Sequence, residues 1–209
     1  MGVYVPSHFA PDDHAVQELL RQHGAADLIT ATPQGLVATF LPFVHDEAAG
    51  VLRGHVARNN EQWRLPVTGE ALVIVRGPDA YVSPSWYASK AEHGRVVPTW
   101  NYVTAHVYGP VVFHDDPDWV ERVVRDLTAK HEAGREPAWD VDDAPETFIA
   151  GQLRAVVGVE VTVARVEAKW KLSQNRAAAD VDGVVAGLRA DGDDATADAV
   201  ARARRPPAT

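Results

Sequence analysis

The order of apolar and polar positions predicts a run of short strands followed by a run of helices. Asp12-Asp13-His14-Ala15-Val16-Gln17-Glu18-Leu19-Leu20 has the spacing of an amphipathic helix, opened by Pro11 and the acids and closed by Gly24. Residues 28–32 and 36–41 read as two strands joined across Pro33-Gln34-Gly35, a hairpin signal. Further strands are predicted over 51–57, 71–76 and 80–83, then a long extended stretch over 97–114, kinked at Gly109-Pro110. Beyond it the pattern predicts helices over 117–134, with Asp116 as N-cap and Pro117 in the first turn, and over 145–153. Residues 157–166 alternate as a strand, with Val159, Val161 and Val163 on one face and Glu160 and Thr162 on the other. Lys171-Leu172-Ser173-Gln174-Asn175 leads into a helix ending near 188, followed by a short Ala/Asp/Arg-rich helix with a frayed Pro206-Pro207 tail. Short strands with helices gathered late predict a mainly-β, α+β chain, one antiparallel barrel or sheet flanked by helices.

Composition narrows the chemistry. The 209 residues include no cysteine, which excludes a disulfide framework, a thiolate zinc site and a cysteine nucleophile, and leaves any redox chemistry to a cofactor. The first nine residues lack the basic start and apolar run of a signal peptide. No apolar run approaches the ~20 residues a membrane helix needs, so a soluble, cytoplasmic protein with no membrane partner is expected. The net charge of −9 is unevenly spread: −5 over 1–50, +2 over 51–110, −7 over 111–164, +3 over 165–176 and −2 over the remainder. Two basic segments inside an acidic chain suit a small anionic ligand better than a polyanion, so direct nucleic-acid binding is disfavoured.

Candidate chemistry concentrates in three segments. Residues 81–108 hold six of the sixteen aromatic residues, among them Trp86, Tyr87 and Trp100, interleaved with Ser85, Lys90, Thr99 and Asn101. Flat apolar faces mixed with directional donors suit a planar, hydrogen-bonding ligand, although an aromatic dimer interface or barrel core would look the same. In Gly54-His55-Val56-Ala57-Arg58-Asn59-Asn60, His55 and Ala57 share a strand face, with small Ala57 leaving room for a ring. Arg58 is suited to a phosphate or to the negative edge of a reduced flavin, or else is an ordinary surface arginine. The third segment, Lys169 to Asn175, places cations beside Ser173, Gln174 and Asn175 just before a helix, as an anion site or a simple helix cap. The nine histidines show no paired metal spacing, and no phosphate-loop, dinucleotide or nucleophile-elbow motif is present.

Taken together, Val3-Tyr4-Val5-Pro6 with His8-Phe9, Gly54 to Asn60 with Trp63, Gly77-Pro78-Asp79-Ala80-Tyr81-Val82-Ser83-Pro84-Ser85-Trp86-Tyr87, Val97 to Tyr102 with His106-Val107-Tyr108-Gly109, and Lys171-Leu172-Ser173-Gln174-Asn175 resemble the PaiB family. These proteins are described as FMN-binding negative transcriptional regulators. The likeness runs from residue 3 to about 190, and departs at Asn59 and Glu61, where the family usually has Ala and Pro. It implies a split β-barrel over 1–190, leaving 191–209 as an Ala/Asp/Arg-rich tail. It also implies a homodimer with FMN between subunits.

On that resemblance the cofactor-binding candidates are His55, Ala57, Arg58, Asn60, Ser85, Trp86, Tyr87, Lys90, Thr99, Trp100, Asn101, Lys171, Ser173, Gln174 and Asn175. Arg58 or Lys90 with Ser85 or Thr99 would meet the phosphate, the tryptophans and Tyr87 would wall the ring, and the amides would meet its polar edge. No catalytic residue and no metal ligand is assigned. The expected activity is a flavin-dependent oxidoreductase acting on NAD(P)H or a small molecule. The alternatives are a regulator or flavin sensor without turnover, and a haem-binding or haem-degrading split-barrel protein using His8, His55 or His106.

Overall fold

The computed structural model describes residues 2–204. The elements run α1 (Asp13–Gln22), β1 (Ala25–Thr32), β2 (Gly35–Asp46), β3 (Val51–Ala57), β4 (Ala71–Val82), α2 (Ser89–His93), β5 (Thr99–Gly109), β6 (Val111–His114), α3 (Pro117–Glu132), α4 (Glu146–Leu153), β7 (Val156–Thr162), β8 (Arg165–Lys171), α5 (Ala178–Ala190) and α6 (Asp194–Arg202). The strands are hydrogen-bonded neighbours in the order β6-β7-β3-β2-β1-β4-β5-β8. The fold is the mainly-β, α+β split barrel that the sequence predicts, antiparallel and flanked by helices. The chain divides into two compact units: residues 14–75 with 106–166, and the described residues up to 13 with 76–105 and those from 167 onward.

In the larger unit, β1 and β2 form the predicted hairpin, in register from Ala25↔Pro42 to Thr32↔Gly35. Gly35 takes a φ of +121°, which a side chain would oppose, and its carbonyl accepts from the Thr32 hydroxyl at 2.9 Å. Alternation puts Ala26, Leu28, Thr30 and Thr32 inside. Val157, Val159 and Val161 of β7 are fully buried, as is Leu52 on β3. Against the opposite face of β7 packs α3, whose Val120, Val123 and Leu127 are buried. Gly158 is the reason it packs closely: a Cβ there would lie 2.1 Å from the Trp119 ring, which stacks on His114 at 3.9 Å. As predicted, α3 is capped by Asp116, whose carboxylate accepts from the Asp118 amide.

In the smaller unit, α5 and α6 pack together, with Val184, Ala197 and Val200 fully buried. The ladder of α5 is brought onto the Pro84–Trp86 turn by two glycines. A Cβ at Gly183 would stand 1.9 Å from the Trp86 carbonyl oxygen, and one at Gly187 would stand 2.3 Å from its ring.

Two readings of the pattern need correction. The strands expected over 71–76 and 80–83 are one strand, β4: its ladder with β1 covers Leu72 to Ile74, so Pro78 breaks no hydrogen bond of that pair. The strand expected over 157–166 ends at Thr162, and a separate strand, β8, occupies the segment read as a helix entry. The expected Pro206-Pro207 tail lies outside the described residues.

Candidate functional site

The fifteen candidate residues fall into the two units. His55, Ala57, Arg58 and Asn60 belong to the larger; the other eleven belong to the smaller.

In the larger unit the group is tied up internally. Arg58 follows β3 and forms a two-pronged ion pair with Asp115, at 2.9 and 2.5 Å. Its Nε donates to the Arg154 carbonyl at 2.6 Å, and Nη2 also reaches the Val156 carbonyl at 3.3 Å. All edges of the guanidinium are therefore engaged, and the pair holds the Asp115 carboxyl below its ordinary range. Asn60 is a turn cap: its side chain accepts from the Gln62 amide and donates to Thr39 at 2.8 Å. Gln62, missed as a candidate, is wholly buried and stitches the hairpin by donating to the Thr30 hydroxyl at 3.0 Å. His55 is half-buried; desolvation lowers its pKa, and its Nδ1 is enclosed without a hydrogen-bond partner. Ala57 is exposed.

The smaller unit holds a cationic, aromatic cluster. On the edge strand β8, Glu167, Lys169 and Lys171 alternate with Ala168 and Trp170. Lys171 donates to the Thr99 hydroxyl and, at 2.7 Å, to the Trp100 carbonyl. Desolvation lowers its pKa, and the nearby charges of Lys169 and Arg176 lower it further. Lys169 sits 5.7–5.9 Å from the ring centroids of Tyr4, Phe9 and Tyr102 and donates to the Tyr4 carbonyl, pinning the amino-terminal segment. Arg176 lies over Tyr87, 4.7 Å from the ring centroid. The local acids are engaged by neighbouring donors: Asp79 accepts from the Trp100 indole, Asp180 from Ser89, and Glu167 from the Val3 amide.

The remaining candidates divide between scaffold and surface. Asn101, buried, exchanges hydrogen bonds with Ser173, which holds a positive φ of 66° at the turn after β8. Gln174 braces the same turn, accepting from the Leu172 amide and donating to the Trp170 carbonyl, both at 2.7 Å. Trp86 is the anchor under α5, and Tyr87 is buried with its hydroxyl pKa raised by desolvation. Trp100 is 49% exposed and meets Tyr81 edge-on. Lys90 and Asn175 are exposed, and Lys90 donates to Ser85 at 3.1 Å. The helix entry expected at 169–175 is instead a strand end and a turn, with α5 starting at Ala178. Arg176 and Lys169 were within reach of the sequence through the +3 charge of residues 165–176.

The donor chemistry of this cluster fits a phosphorylated planar ligand. Lys171 engages the Thr99 hydroxyl and the Trp100 carbonyl with the charges of Lys169 and Arg176 nearby, and the exposed Trp100 indole meets the exposed Tyr81 phenol edge-on.

A family model described as "Putative FMN-binding domain" matches residues 3–165. An uncharacterised protein of Emericella nidulans is 30% identical over 219 residues, covering 86% of this chain and 87% of its own. The protease synthase and sporulation protein PAI 2 of Bacillus subtilis is 29% identical over 191 residues, covering 90% and 89%. Among solved structures, the FAD and haem binding protein of Mycobacterium smegmatis superposes with a TM-score of 0.57 at 14% identity, over 79% of this chain and 74% of its own. That likeness concerns the fold; the family match supports flavin binding.

Proposed function

The chain belongs to the PaiB family, the family of that FMN-binding domain, and from that premise we propose that it is a cytoplasmic, homodimeric FMN protein acting as an oxidoreductase on NAD(P)H or a small molecule. The observation that carries the reading is the Lys169, Lys171 and Arg176 cluster: burial first, and then the charges of Lys169 and Arg176, depress the Lys171 pKa, and a phosphate dianion would offset that repulsion. Lys171 and the Thr99 hydroxyl would hold the phosphate. The exposed faces of Trp100 and Tyr81 would wall the ring and exclude water from one side of it. Bound there, FMN would supply the redox chemistry, and the chain orientation and charge.

The test is flavin titration of the purified protein. Lys171→Ala should weaken FMN binding about 10- to 100-fold, the worth of one charge-assisted hydrogen bond. Riboflavin, which lacks the phosphate, should bind both forms alike. Arg58→Ala should leave FMN affinity unchanged, because that guanidinium is committed to Asp115. Unchanged FMN affinity in Lys171→Ala overturns the phosphate assignment, and a single Soret band in the absorption spectrum overturns flavin in favour of haem. Anaerobic bleaching by NAD(P)H supports turnover; no reduction, with salt-sensitive operator binding, supports the regulator.

The homodimer has its own support in the larger unit. Leu36, Ala38 and Phe40 lie on one face of β2, Leu36 and Phe40 being strongly exposed, and Ile29 of β1 pairs with both Ala38 and Leu72. Contiguous apolar sheet surface of this kind marks an interface. Phe40→Asp should convert a dimer to a monomer in sedimentation velocity; an unaltered species moves the interface elsewhere.

A further inference from the structure

The amino-terminal segment lies against the cationic cluster of the smaller unit, and the two share Lys169. Residues 2–6 carry no regular structure and lead into the single turn Ser7–Phe9, whose Phe9 is 7% exposed and fixes that end of the segment. The other end buries little, with Val3 41% and Tyr4 81% exposed. Two polar ties hold it down: the Val3 amide donates to the Glu167 carboxylate at 2.9 Å, and the Lys169 ammonium donates to the Tyr4 carbonyl at 3.1 Å. Glu167, Lys169 and Lys171 alternate along β8, so both ties stand on the same side of that strand as the Lys171 that meets Thr99. Exposed polar ties on a segment with little apolar burial open easily, which makes this end a strap and Phe9 its hinge.

Lys169 is the point of conflict between strap and ligand. Its ammonium lies 5.7 Å from the Tyr4 ring centroid and 5.9 Å from those of Phe9 and Tyr102. Ring faces and a carbonyl oxygen all carry partial negative charge, which favours a cation and repels an anion. A phosphate dianion drawn to Lys171 therefore reaches Lys169 only if part of this cage gives way. Phe9 is buried and Tyr102 belongs to β5, so those two rings stay. Tyr4 brings both a ring and the carbonyl, and it sits on the weakly held end. An ammonium bonds an ionised phosphate oxygen more strongly than a neutral carbonyl, so the exchange runs toward the phosphate.

We propose that residues 2–6 are an autoinhibitory strap that competes with a phosphate dianion for Lys169 and is released from β8 when the ligand binds. The inference rests on the reading of the cluster as a phosphate site, and inorganic phosphate as a second probe keeps it separable from the flavin. Strap opening is read by hydrogen–deuterium exchange of the peptide covering residues 2–9 in the full chain. Added FMN, and inorganic phosphate against chloride at equal ionic strength, should each speed that exchange. Val3→Pro removes the amide donor to Glu167 and Tyr4→Ala removes one ring, neither changing a charge. Each should tighten FMN binding about three- to tenfold, with riboflavin binding unchanged. In Lys169→Met, which has no ammonium to contest, Val3→Pro should no longer alter FMN affinity. Slower exchange in FMN would make the segment a closing lid and overturns the proposal. So does unchanged or weakened FMN affinity in both strap variants while Lys171→Ala still weakens it, a result that leaves the flavin reading standing. If the natural chain takes up no flavin but inorganic phosphate opens the strap, the flavin reading fails and the strap stands; if phosphate also leaves the exchange unchanged, both fail.

Discussion

Gly183→Ala is expected to cost about 3 kcal/mol of stability or more, a loss at the severe end for one added methyl. The physical cause is specific: the new Cβ would stand 1.9 Å from the Trp86 carbonyl oxygen, a backbone atom with no rotamer by which to move away. Relief requires α5 to lift from the Pro84–Trp86 turn, and that also opens the contact of Gly187 with the Trp86 ring, where a Cβ would lie at 2.3 Å. Gly192 is the internal control. It sits past the end of α5 at a φ of +82° with open space around it, so Gly192→Ala should cost only about 1 kcal/mol, from backbone strain alone. Urea midpoints of the two variants decide the matter. Equal losses would mean that α5 does not rest on that turn, and the role of Trp86 as an anchor would fall with it.

Trp86 also shows how far the site was legible in the sequence. The aromatic density over 81–108 singles out a segment, but composition cannot separate a ring that faces a ligand from one that faces a helix. What separates them lies far along the chain, in two glycines of α5, Gly183 and Gly187, spaced to admit an indole. Asn60, Asn101 and Gln174 carry the same lesson. Each has the amide chemistry of a ligand edge, and each is occupied by the chain's own turns: Asn60 caps one, Asn101 holds Ser173, and Gln174 braces the backbone around Trp170. Arg58 was legible as a cation but not as a neutralised one, since its partner Asp115 is distant in sequence.

The fold was more accessible, because strand and helix periods are local. The hairpin, β3, α3 and its Asp116–Pro117 start were readable from alternation and capping chemistry. The edge strand β8 was missed although its signal is present: Arg165, Glu167, Lys169 and Lys171 alternate with Val166, Ala168 and Trp170. Read as a cluster of charge, that segment looks like a helix entry; read by period, it is a strand whose outward charges protect an open edge.

Acidification is expected to destabilise the chain between about pH 6.5 and about pH 4, with His23 carrying the largest identifiable share. His23 is 7% exposed, its Nδ1 is bonded to the Leu20 carbonyl and its Nε2 is enclosed without a partner, so the folded ring is neutral with its proton on Nδ1. Burial is the main cause of a pKa pushed down to about 4; the Leu20 carbonyl opposes it, and Lys130, His45 and His131 add repulsion. The sign follows from which state takes the proton. Above about pH 6.5 neither folded nor unfolded chain protonates this ring, and its stability contribution is complete. As pH falls, the unfolded chain binds the proton first, and stability is lost until the folded ring also titrates near pH 4, a total of about 3 kcal/mol. His45 and His55, both lowered chiefly by desolvation, act in the same direction. Urea midpoints measured between about pH 7.5 and about pH 4.5 should therefore fall for the natural chain and fall distinctly less for His23→Phe, which keeps a ring in the space but cannot take a proton. Identical pH slopes in the two proteins would show that the His23 ring is hydrated or charged in the folded state, and that the helix end it closes is open to water.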